Sequence, residues 1–138
     1  MIMLQQFYIC LYSIAKIVTL LYFAIIDELP PGTETVQIKT EAGETQAFYM
    51  PSSKRAKAPL LVFFHANAEK ATQWLHQLQY VYGSTGVHIL VVEYRGYHHS
   101  DGQPTQHSLT KDSCKLIDLI LERPECDGLL LHGRSIGV

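Results

Sequence analysis

The chain has few cysteines, and their arrangement excludes two classes of site. Cys10, Cys114 and Cys126 are the only thiols in 138 residues, an odd number at wide spacing. A disulfide framework needs paired cysteines, and a structural metal site needs cysteines or histidines at short, regular intervals. Neither pattern is present, so the cysteines predict neither a disulfide framework nor a metal site. We interpret Cys10, in the apolar N-terminus, as a buried free thiol, with acylation at a membrane surface as the alternative.

An excess of either charge is also missing. The 11 Lys and Arg residues are nearly balanced by 13 Asp and Glu residues, for a formal net charge of −2. Nucleic-acid-binding domains carry a basic patch or stripe, so nucleic acid is not an expected partner. Repeats and low-complexity tracts are absent from the sequence too. The length fits one domain, and the 47% hydrophobic content is ordinary for a globular protein.

A long apolar segment is present at the N-terminus. Residues 7–26 are almost continuously hydrophobic, with Lys16 near the middle, and a helix of that length can span a bilayer. The aliphatic and phenylalanine side chains contribute about −5 kcal/mol to insertion, against about +3 kcal/mol for one central lysine. A cleaved signal peptide fits less well, because no small-residue cleavage site precedes Asp27. We therefore expect residues 1–28 to form a single membrane anchor of undetermined orientation, with a helix packed on the domain core as the alternative.

The remaining residues, 29–138, show the pattern of an α/β domain. Alternating residues at 34–40 and 45–50, separated by a short turn, predict an antiparallel hairpin. Three apolar runs and two amphipathic segments then alternate, which predicts a parallel β-α-β-α-β sheet with right-handed crossovers. The predicted strands are 60–64, 88–94 and 129–132, and the predicted helices are 70–82 and 105–123. Thr105 is a suitable N-cap for the second helix, and Pro124 ends it.

A serine between two glycines follows the last predicted strand. The pentapeptide Gly133-Arg134-Ser135-Ile136-Gly137 fits the pattern G-x-S-x-G. This pattern is typical of a nucleophile elbow, a sharp strand-to-helix turn that exposes a serine above a sheet. Gly133 and Gly137 are then the elbow glycines, small enough to let strand and helix approach closely. Ser135 is the candidate nucleophile, and an ordinary glycine turn is the alternative.

Three motifs occur in register along the chain. They are Phe64-His65-Ala66-Asn67-Ala68, Glu93-Tyr94-Arg95-Gly96-Tyr97 and His132-Gly133-Arg134-Ser135-Ile136-Gly137, each at the end of a predicted parallel strand. With these motifs, residues 33–138 resemble an α/β-hydrolase, of the branch of serine hydrolases often tethered to membranes by an N-terminal segment. That branch typically has His-Gly-Asn-Ala-Gly, Tyr-Arg-Gly-Tyr-Gly and Gly-Arg/Gln-Ser-Ile/Leu-Gly. The resemblance implies a partial α/β-hydrolase fold that ends at the nucleophile elbow.

The resemblance also implies roles for individual residues. Ser135 would attack an acyl carbonyl, and the backbone N–H groups of Asn67 and Ile136 would form the oxyanion hole. His65 would be structural, and Arg95 would anchor its loop rather than bind a substrate carboxylate. No metal and no cofactor is implied.

Three positions depart from the family pattern. Ala66 and Glu69 replace glycines of the first motif, and His98 replaces the glycine after the second. A Cβ is costly where a turn requires positive φ, so we expect a shifted loop unless Ala66 has an allowed conformation. His98 and His99 lie at the same sheet edge as Ser135. A substitute catalytic base is one interpretation of them, but solvated loop histidines are the favoured one.

The acid and the histidine that complete such a site follow the serine in chain order, and here only Val138 follows the elbow. We therefore expect the N-terminal fragment of a serine hydrolase acting on carboxylic esters or thioesters, inactive by itself and located at a membrane. The alternative is a non-catalytic membrane-associated remnant or interaction protein with a hydrolase-like fold.

Overall fold

The computed structural model describes residues 28–98 and 100–137. The apolar segment 7–26, with Cys10, lies outside the described residues, and so do His99 and Val138. Within the described ranges, no helix is long and apolar enough to cross a membrane. The expected membrane anchor therefore stays a prediction.

Five strands and two helices form the described part of the chain. The strands are β1 Glu34–Thr40, β2 Gly43–Met50, β3 Ala58–Phe64, β4 His88–Val92 and β5 Cys126–Gly133, and the helices are α1 Thr72–Tyr82 and α2 Gln106–Leu121. A single 3₁₀ turn, Ser135–Gly137, follows β5. The order confirms the predicted hairpin followed by alternating strands and helices. β4 ends at Val92 rather than at residue 94, because Glu93 and Tyr94 belong to the loop that follows it.

The strands form one mixed sheet in the order β1-β2-β4-β3-β5. β1 and β2 are antiparallel, and β2 continues antiparallel onto β4. β3 lies between β4 and β5 and is parallel to both, with Phe64 beside Val92 on one side and Gly133 on the other. Across the sheet, the connection from β3 to β4 runs toward the hairpin, and the connection from β4 to β5 runs the opposite way, past β3. The two crossover helices therefore cover opposite faces of the sheet.

Each face of the sheet has its own hydrophobic core. The core under α2 consists of Val36, Ile38, Ala47, Tyr49, Leu60, Val62, Leu90, Val92, Tyr94, Leu116 and Ile120. The core under α1 consists of Phe48, Met50, Phe63, Ala71, Leu75, Leu78, Ile89 and Val91. Successive residues of β3 and β4 contribute to opposite cores, which explains why both strands are nearly continuous apolar runs. The two cores hold the ends of the parallel strands, where the three motifs lie.

The two helices begin in different ways. Thr105 caps α2 as predicted: the Ser108 N–H donates to the Thr105 hydroxyl at 3.1 Å, and the Thr105 N–H donates to the Ser108 hydroxyl at 2.9 Å. α1 begins at Thr72 rather than at residue 70, and no side chain of its own caps it at Ala71. Instead the Ala71 N–H donates to a carboxylate oxygen of Glu93 at 3.1 Å. A residue distant in sequence thus binds an N–H group at the start of α1, beside a local contact in which the Gln73 side chain accepts the Lys70 N–H at 3.1 Å.

β5 forms an edge of the sheet within the described part of the chain. It pairs there with β3 alone, and Leu129, Leu130 and Leu131 are 44%, 47% and 64% exposed. Their apolar run predicts a buried strand. Among the described residues nothing covers the outer side of β5, so the leucines are exposed. An apolar edge with a row of unpaired backbone groups tends to pair with another strand.

Candidate active site

The three motifs meet at one edge of the sheet. β3, β4 and β5 are parallel, so their carboxyl ends lie side by side, and a motif loop follows each of them. Ligand sites of open α/β sheets lie at these carboxyl ends, where the strand order reverses. Here the reversal occurs at β3, between β4 and β5. Residues 65–71, called the oxyanion loop below, therefore lie between the loop after β4 and the turn after β5.

Ser135 has the backbone geometry of an elbow serine. Its φ is +56°, in the left-handed region that non-glycine residues seldom adopt, and the residue is exposed. The Arg134 N–H donates to the Phe64 carbonyl at 3.0 Å, and the Gly137 N–H donates to the Arg134 carbonyl at 3.1 Å. Backbone strain of this kind costs about 1–3 kcal/mol and is concentrated at functional sites. These features favour an elbow over an ordinary glycine turn.

Gly137 packs directly against the end of β3. A Cβ at this position would lie 2.5 Å from the Phe64 carbonyl oxygen and 2.6 Å from the Phe64 Cβ. No larger residue fits unless the backbone moves, which is the steric reason for a glycine here. Gly133 lies opposite Phe64 in the β3–β5 register. Both predicted elbow glycines thus contact the residue that precedes the oxyanion loop.

The two N–H groups predicted to form the oxyanion hole make no hydrogen bonds within the part of the chain that the structure describes. Neither the Asn67 N–H nor the Ile136 N–H donates to any group within residues 28–98 and 100–137. The Asn67 side chain is nevertheless fixed, because the Tyr97 hydroxyl donates to its Oδ1 at 2.6 Å. An oxyanion hole requires donors that are free to meet the developing negative charge. The roles of Asn67 and Ile136 remain predictions that this geometry allows.

The strained residue of the oxyanion loop is Ala68. It has a φ of +61°, whereas Ala66 does not have a positive φ. The Cβ of Ala66 therefore carries no penalty of the kind expected for a glycine turn, and Ala66 is buried. Replacement of the family glycine at position 66 is compatible with an ordinary backbone conformation.

A buried histidine–glutamate pair lies beneath the oxyanion loop. His65 Nε2 is 2.9 Å from Glu93 Oε1, and both side chains are fully buried. His65 Nδ1 is 2.9 Å from the Ala66 carbonyl oxygen. Glu93 also accepts the N–H groups of Ala71 and Tyr94, at 3.1 and 3.2 Å. Buried ionisable groups persist when they are paired and hydrogen-bonded. His65 is thus a structural residue, as predicted.

Glu93 is a residue of the site that sequence reasoning missed. Its carboxylate lies at the N-terminus of α1, where the helix dipole stabilises a negative charge. It joins the loop after β4 to both the oxyanion loop and α1. The sequence offers one signal for this role, an acidic residue directly after the apolar run of β4. A glutamate next to buried residues is itself buried only when several partners satisfy its carboxylate.

The loop after β4 is fixed by an ion pair and by aromatic packing. Arg95 Nε and Nη2 donate to the two carboxylate oxygens of Asp112 in α2, each at 2.8 Å. These hydrogen bonds raise the pKa of Arg95, and they confirm its role as a loop anchor. Burial raises the pKa of Tyr94, so its hydroxyl stays protonated and donates to the His65 carbonyl at 2.8 Å. The Tyr97 ring packs edge-on against Tyr94.

Glu69 connects three parts of the site. Its Oε2 accepts the Ala66 N–H at 2.9 Å and the Trp74 indole N–H at 3.0 Å. Its Oε1 accepts a hydrogen bond from the Arg134 guanidinium at 2.6 Å. The guanidinium carbon of Arg134 lies 4.9 Å from the centre of the Trp74 ring. A glycine, the residue typical of the family here, would make none of these side-chain contacts.

Ser135 has no hydrogen-bonded base among the residues that the structure describes. No side chain in those ranges contacts its hydroxyl by a hydrogen bond. His132, the nearest histidine in sequence, bonds through Nδ1 to the Tyr82 hydroxyl at 3.0 Å. His98 is exposed on the loop after β4 with a φ of +45°. The same ranges contain no group of His, Cys, Asp and Glu side chains suited to a metal ion.

An open apolar groove lies beside the elbow. It has a volume of about 640 Å³ and runs between α2 and the ends of β3 and β5. Its walls include Phe64, Tyr94, Leu109, Ile117, Leu131 and Ile136. Because Ile136 is one of these walls, the groove reaches the residue next to Ser135.

The sequence is similar to those of α/β-hydrolase relatives. It is 29% identical over 108 residues to the protein bem46 of Schizosaccharomyces pombe, covering 75% of this chain and 36% of that protein. It is 30% identical over 98 residues to the lysophosphatidylserine lipase ABHD12 of Danio rerio, covering 70% of this chain and 26% of that protein. The chain therefore spans about a quarter to a third of the length of these curated relatives. No protein-family model matches it.

Solved structures share the fold. An alpha-beta hydrolase from Vibrio vulnificus matches with a TM-score of 0.64 at 26% identity, covering 86% of this chain and 40% of that one. Est1E from Butyrivibrio proteoclasticus, with ferulic acid bound, matches with a TM-score of 0.65 at 20% identity, covering 74% and 43%. These matches, the strand order and the three motif loops agree. The chain belongs to the α/β-hydrolase superfamily and represents the N-terminal part of that fold.

Proposed function

We propose that this chain supplies the nucleophile half of a serine hydrolase that acts on carboxylic esters or thioesters. The observation that carries the proposal is the left-handed backbone of Ser135, at the end of a parallel strand and in the motif of an elbow. A strained, exposed serine at this topological position has a clear use in acyl transfer.

The proposed chemistry follows from the groups at the strand ends. Ser135 Oγ attacks the acyl carbonyl while a histidine, supplied from outside the described residues, takes its proton. The N–H groups of Asn67 and Ile136 bind the oxyanion of the tetrahedral intermediate. Collapse expels the alcohol or thiol, which takes the proton from the histidine, and water then releases the acid from the acyl-serine. This chemistry uses no metal or other cofactor.

The groove beside Ser135 suggests the kind of acyl group. Its walls are mostly aliphatic and aromatic, and it begins at Ile136, so it favours an apolar acyl chain over a charged one. One relative is named a lysophosphatidylserine lipase, which is compatible with an amphiphilic ester. We propose such an ester or thioester as the substrate class, and a membrane, contacted through residues 7–26, as its location. Nucleic acid is not among the proposed partners.

A second candidate function is non-catalytic. No described side chain activates Ser135, and β5 presents an apolar edge on which another polypeptide can pair. On this alternative the protein is a membrane-associated remnant or interaction protein that retains the hydrolase fold. The two functions differ in whether Ser135 can be acylated at all.

Chemical rescue with an external base separates the two functions. The full chain is incubated with a p-nitrophenyl ester, with and without added imidazole, beside Ser135→Ala. Without imidazole we expect no serine-dependent turnover, because loss of triad members lowers kcat by about 10⁴- to 10⁶-fold. With imidazole we expect acylation of Ser135, detected by mass spectrometry and absent from the variant.

Two results would contradict the proposal. If imidazole produces no acylation of Ser135, the elbow is not competent and the non-catalytic function is supported. If the chain alone turns over the ester at enzyme-like rates, a base within it is sufficient, and His98 or His99 becomes the residue to substitute.

A further inference from the structure

We infer that Glu69 is a positioning residue that couples the oxyanion loop to the nucleophile elbow through Arg134. The inference concerns the same site as the proposed function and rests on it for its purpose, namely to hold the two oxyanion donors in register. The coupling itself is a property of the contacts and can be measured separately.

The two carboxylate oxygens of Glu69 have different partners. Oε2 accepts from the Ala66 N–H and from the Trp74 indole, so it holds the oxyanion loop against α1. Oε1 accepts from the Arg134 guanidinium at 2.6 Å, so it reaches across to the turn after β5. One side chain thereby spans two segments that are half the chain apart.

Arg134 is well placed to transmit this contact to the elbow. It directly precedes Ser135, and its own N–H donates to the Phe64 carbonyl at the end of β3 at 3.0 Å. Its guanidinium also stacks over the Trp74 ring, which limits its freedom. Ala66 directly precedes one predicted donor, Asn67, and Arg134 lies two residues before the other, Ile136. Movement of the ion pair therefore changes the separation of those donors.

The ion pair is partly shielded from water. The Glu69 side chain is 21% exposed and that of Arg134 is 51% exposed. Surface ion pairs contribute little to global stability, so we expect the Glu69–Arg134 pair to add little to the free energy of unfolding. Its carboxylate is shared with a loop amide and an indole, and such shared networks determine geometry more than net stability.

Glu69 has two arms, the hydrogen bonds of Oε2 to Ala66 and Trp74 and the hydrogen bond of Oε1 to Arg134. The chemistry of glutamine allows these two arms to be separated. In Glu69→Gln the amide oxygen can occupy the Oε2 position and keep the bonds to Ala66 and Trp74. The amide nitrogen then faces the Arg134 guanidinium, donor against donor, and only the arm to the elbow is lost. Arg134→Gln removes the same arm from the other side. Glu41→Gln is the matched control, because Glu41 also pairs with a cation, Lys111, but lies at an exposed site on the β1–β2 turn.

The test is made on the full chain in detergent micelles, uniformly labelled with ¹⁵N. The amide resonances of Asn67 and Ile136 report the two donors, and the emission of Trp74, the single tryptophan of the sequence, reports the ion pair at its ring. We expect Glu69→Gln to shift the Ile136 amide, although the hydrogen bonds of Glu69 go to Ala66, Trp74 and Arg134, and to change the Trp74 emission. Arg134→Gln should produce the same shifts. The double variant should add nothing further, because both substitutions remove one contact, and Glu41→Gln should leave both signals unchanged.

Other outcomes would overturn the inference. If Glu69→Gln shifts Asn67 but leaves Ile136 in place, Glu69 serves only its own loop. If the two substitutions act additively on Ile136, they act independently and no coupling exists. Because these signals need no turnover, coupling without imidazole-dependent acylation would refute the proposed function alone, and acylation without coupling would refute this inference alone.

Discussion

The exposed edge of β5 predicts self-association that one charged residue should weaken. Leu130 is 47% exposed on this edge. Full burial of a leucine contributes about 2–3 kcal/mol, so about 1 kcal/mol per chain is gained when a second edge covers Leu130. For a pair of edges this is about 2 kcal/mol. Leu130→Lys should therefore weaken association about 30-fold, before any repulsion between the lysines is added.

Leu119→Lys is the matched control for this experiment. Leu119 is 42% exposed, nearly the same as Leu130, and the charge change is identical. It lies on α2, however, where the backbone groups are satisfied within the helix. Lysine at this position should leave self-association almost unchanged, because no unpaired strand edge is involved.

Residues 29–138 without the apolar N-terminus are suited to the measurement, which is size-exclusion chromatography with light scattering over a range of concentrations. We expect concentration-dependent association of the unsubstituted chain and of Leu119→Lys, and a shift toward monomer for Leu130→Lys. A monodisperse monomer with a cooperative thermal transition before any substitution would refute the reasoning and support a self-sufficient, non-catalytic protein. Equal effects of both lysines would show that net charge, and not the edge, controls association.

Three further predictions concern the membrane, the buried pair and alkaline pH. The full chain should pellet with membranes and resist carbonate extraction, and deletion of residues 1–28 should release it; a full chain that is wholly soluble in cells would contradict the anchor. Glu93→Ala should lower the free energy of unfolding by about 3–5 kcal/mol in urea titrations, because it leaves its buried partner His65 uncompensated. Glu41→Ala, at an exposed pair, should barely move the urea midpoint. A small loss for Glu93→Ala would contradict the buried network. Burial raises the pKa of Tyr94 above its ordinary 10.0, so the unfolded state loses this proton first as pH rises. The contribution of Tyr94 to stability is therefore fully present below pH 10 and falls above it. Urea midpoints between pH 8 and 11 should fall less for Tyr94→Phe than for the unsubstituted chain.

The elements with local signals were predictable from the sequence. The hairpin, the alternation of strands and helices, the Thr105 cap and the structural role of His65 all follow from periodicity, capping chemistry or motif position. β3 and β4 are nearly continuous apolar runs because each serves two cores, and this pattern is visible without a structure. The left-handed Ser135 follows from the elbow motif.

The contacts between distant segments were not predictable. Glu69 is visible in the sequence only as a departure from a glycine pattern, and nothing local indicates that Ala66, Trp74 and Arg134 surround it. Glu93 accepts an N–H group at the start of α1 from the end of another strand, which no local propensity can show. β5 begins at Cys126, before its apolar run, because Ala58 in β3 pairs with that residue. Where tertiary pairing decides a boundary, local periodicity places it several residues away.

The position of β3 between β4 and β5 has a consequence for the order of folding. Its pairing with β4, and that of β4 with the hairpin strand β2, use chain that is synthesised before β5 emerges. The pairing of Phe64 with Gly133 closes a loop of about half the chain, and such non-local contacts form late because their closure entropy must be overcome first. Asn67 can therefore be in place, on a formed sheet, while Ile136 is still unstructured. Ser135 acquires its strained conformation only when β5 docks on β3, so a serine that can be acylated would mark a chain in which this pairing has formed.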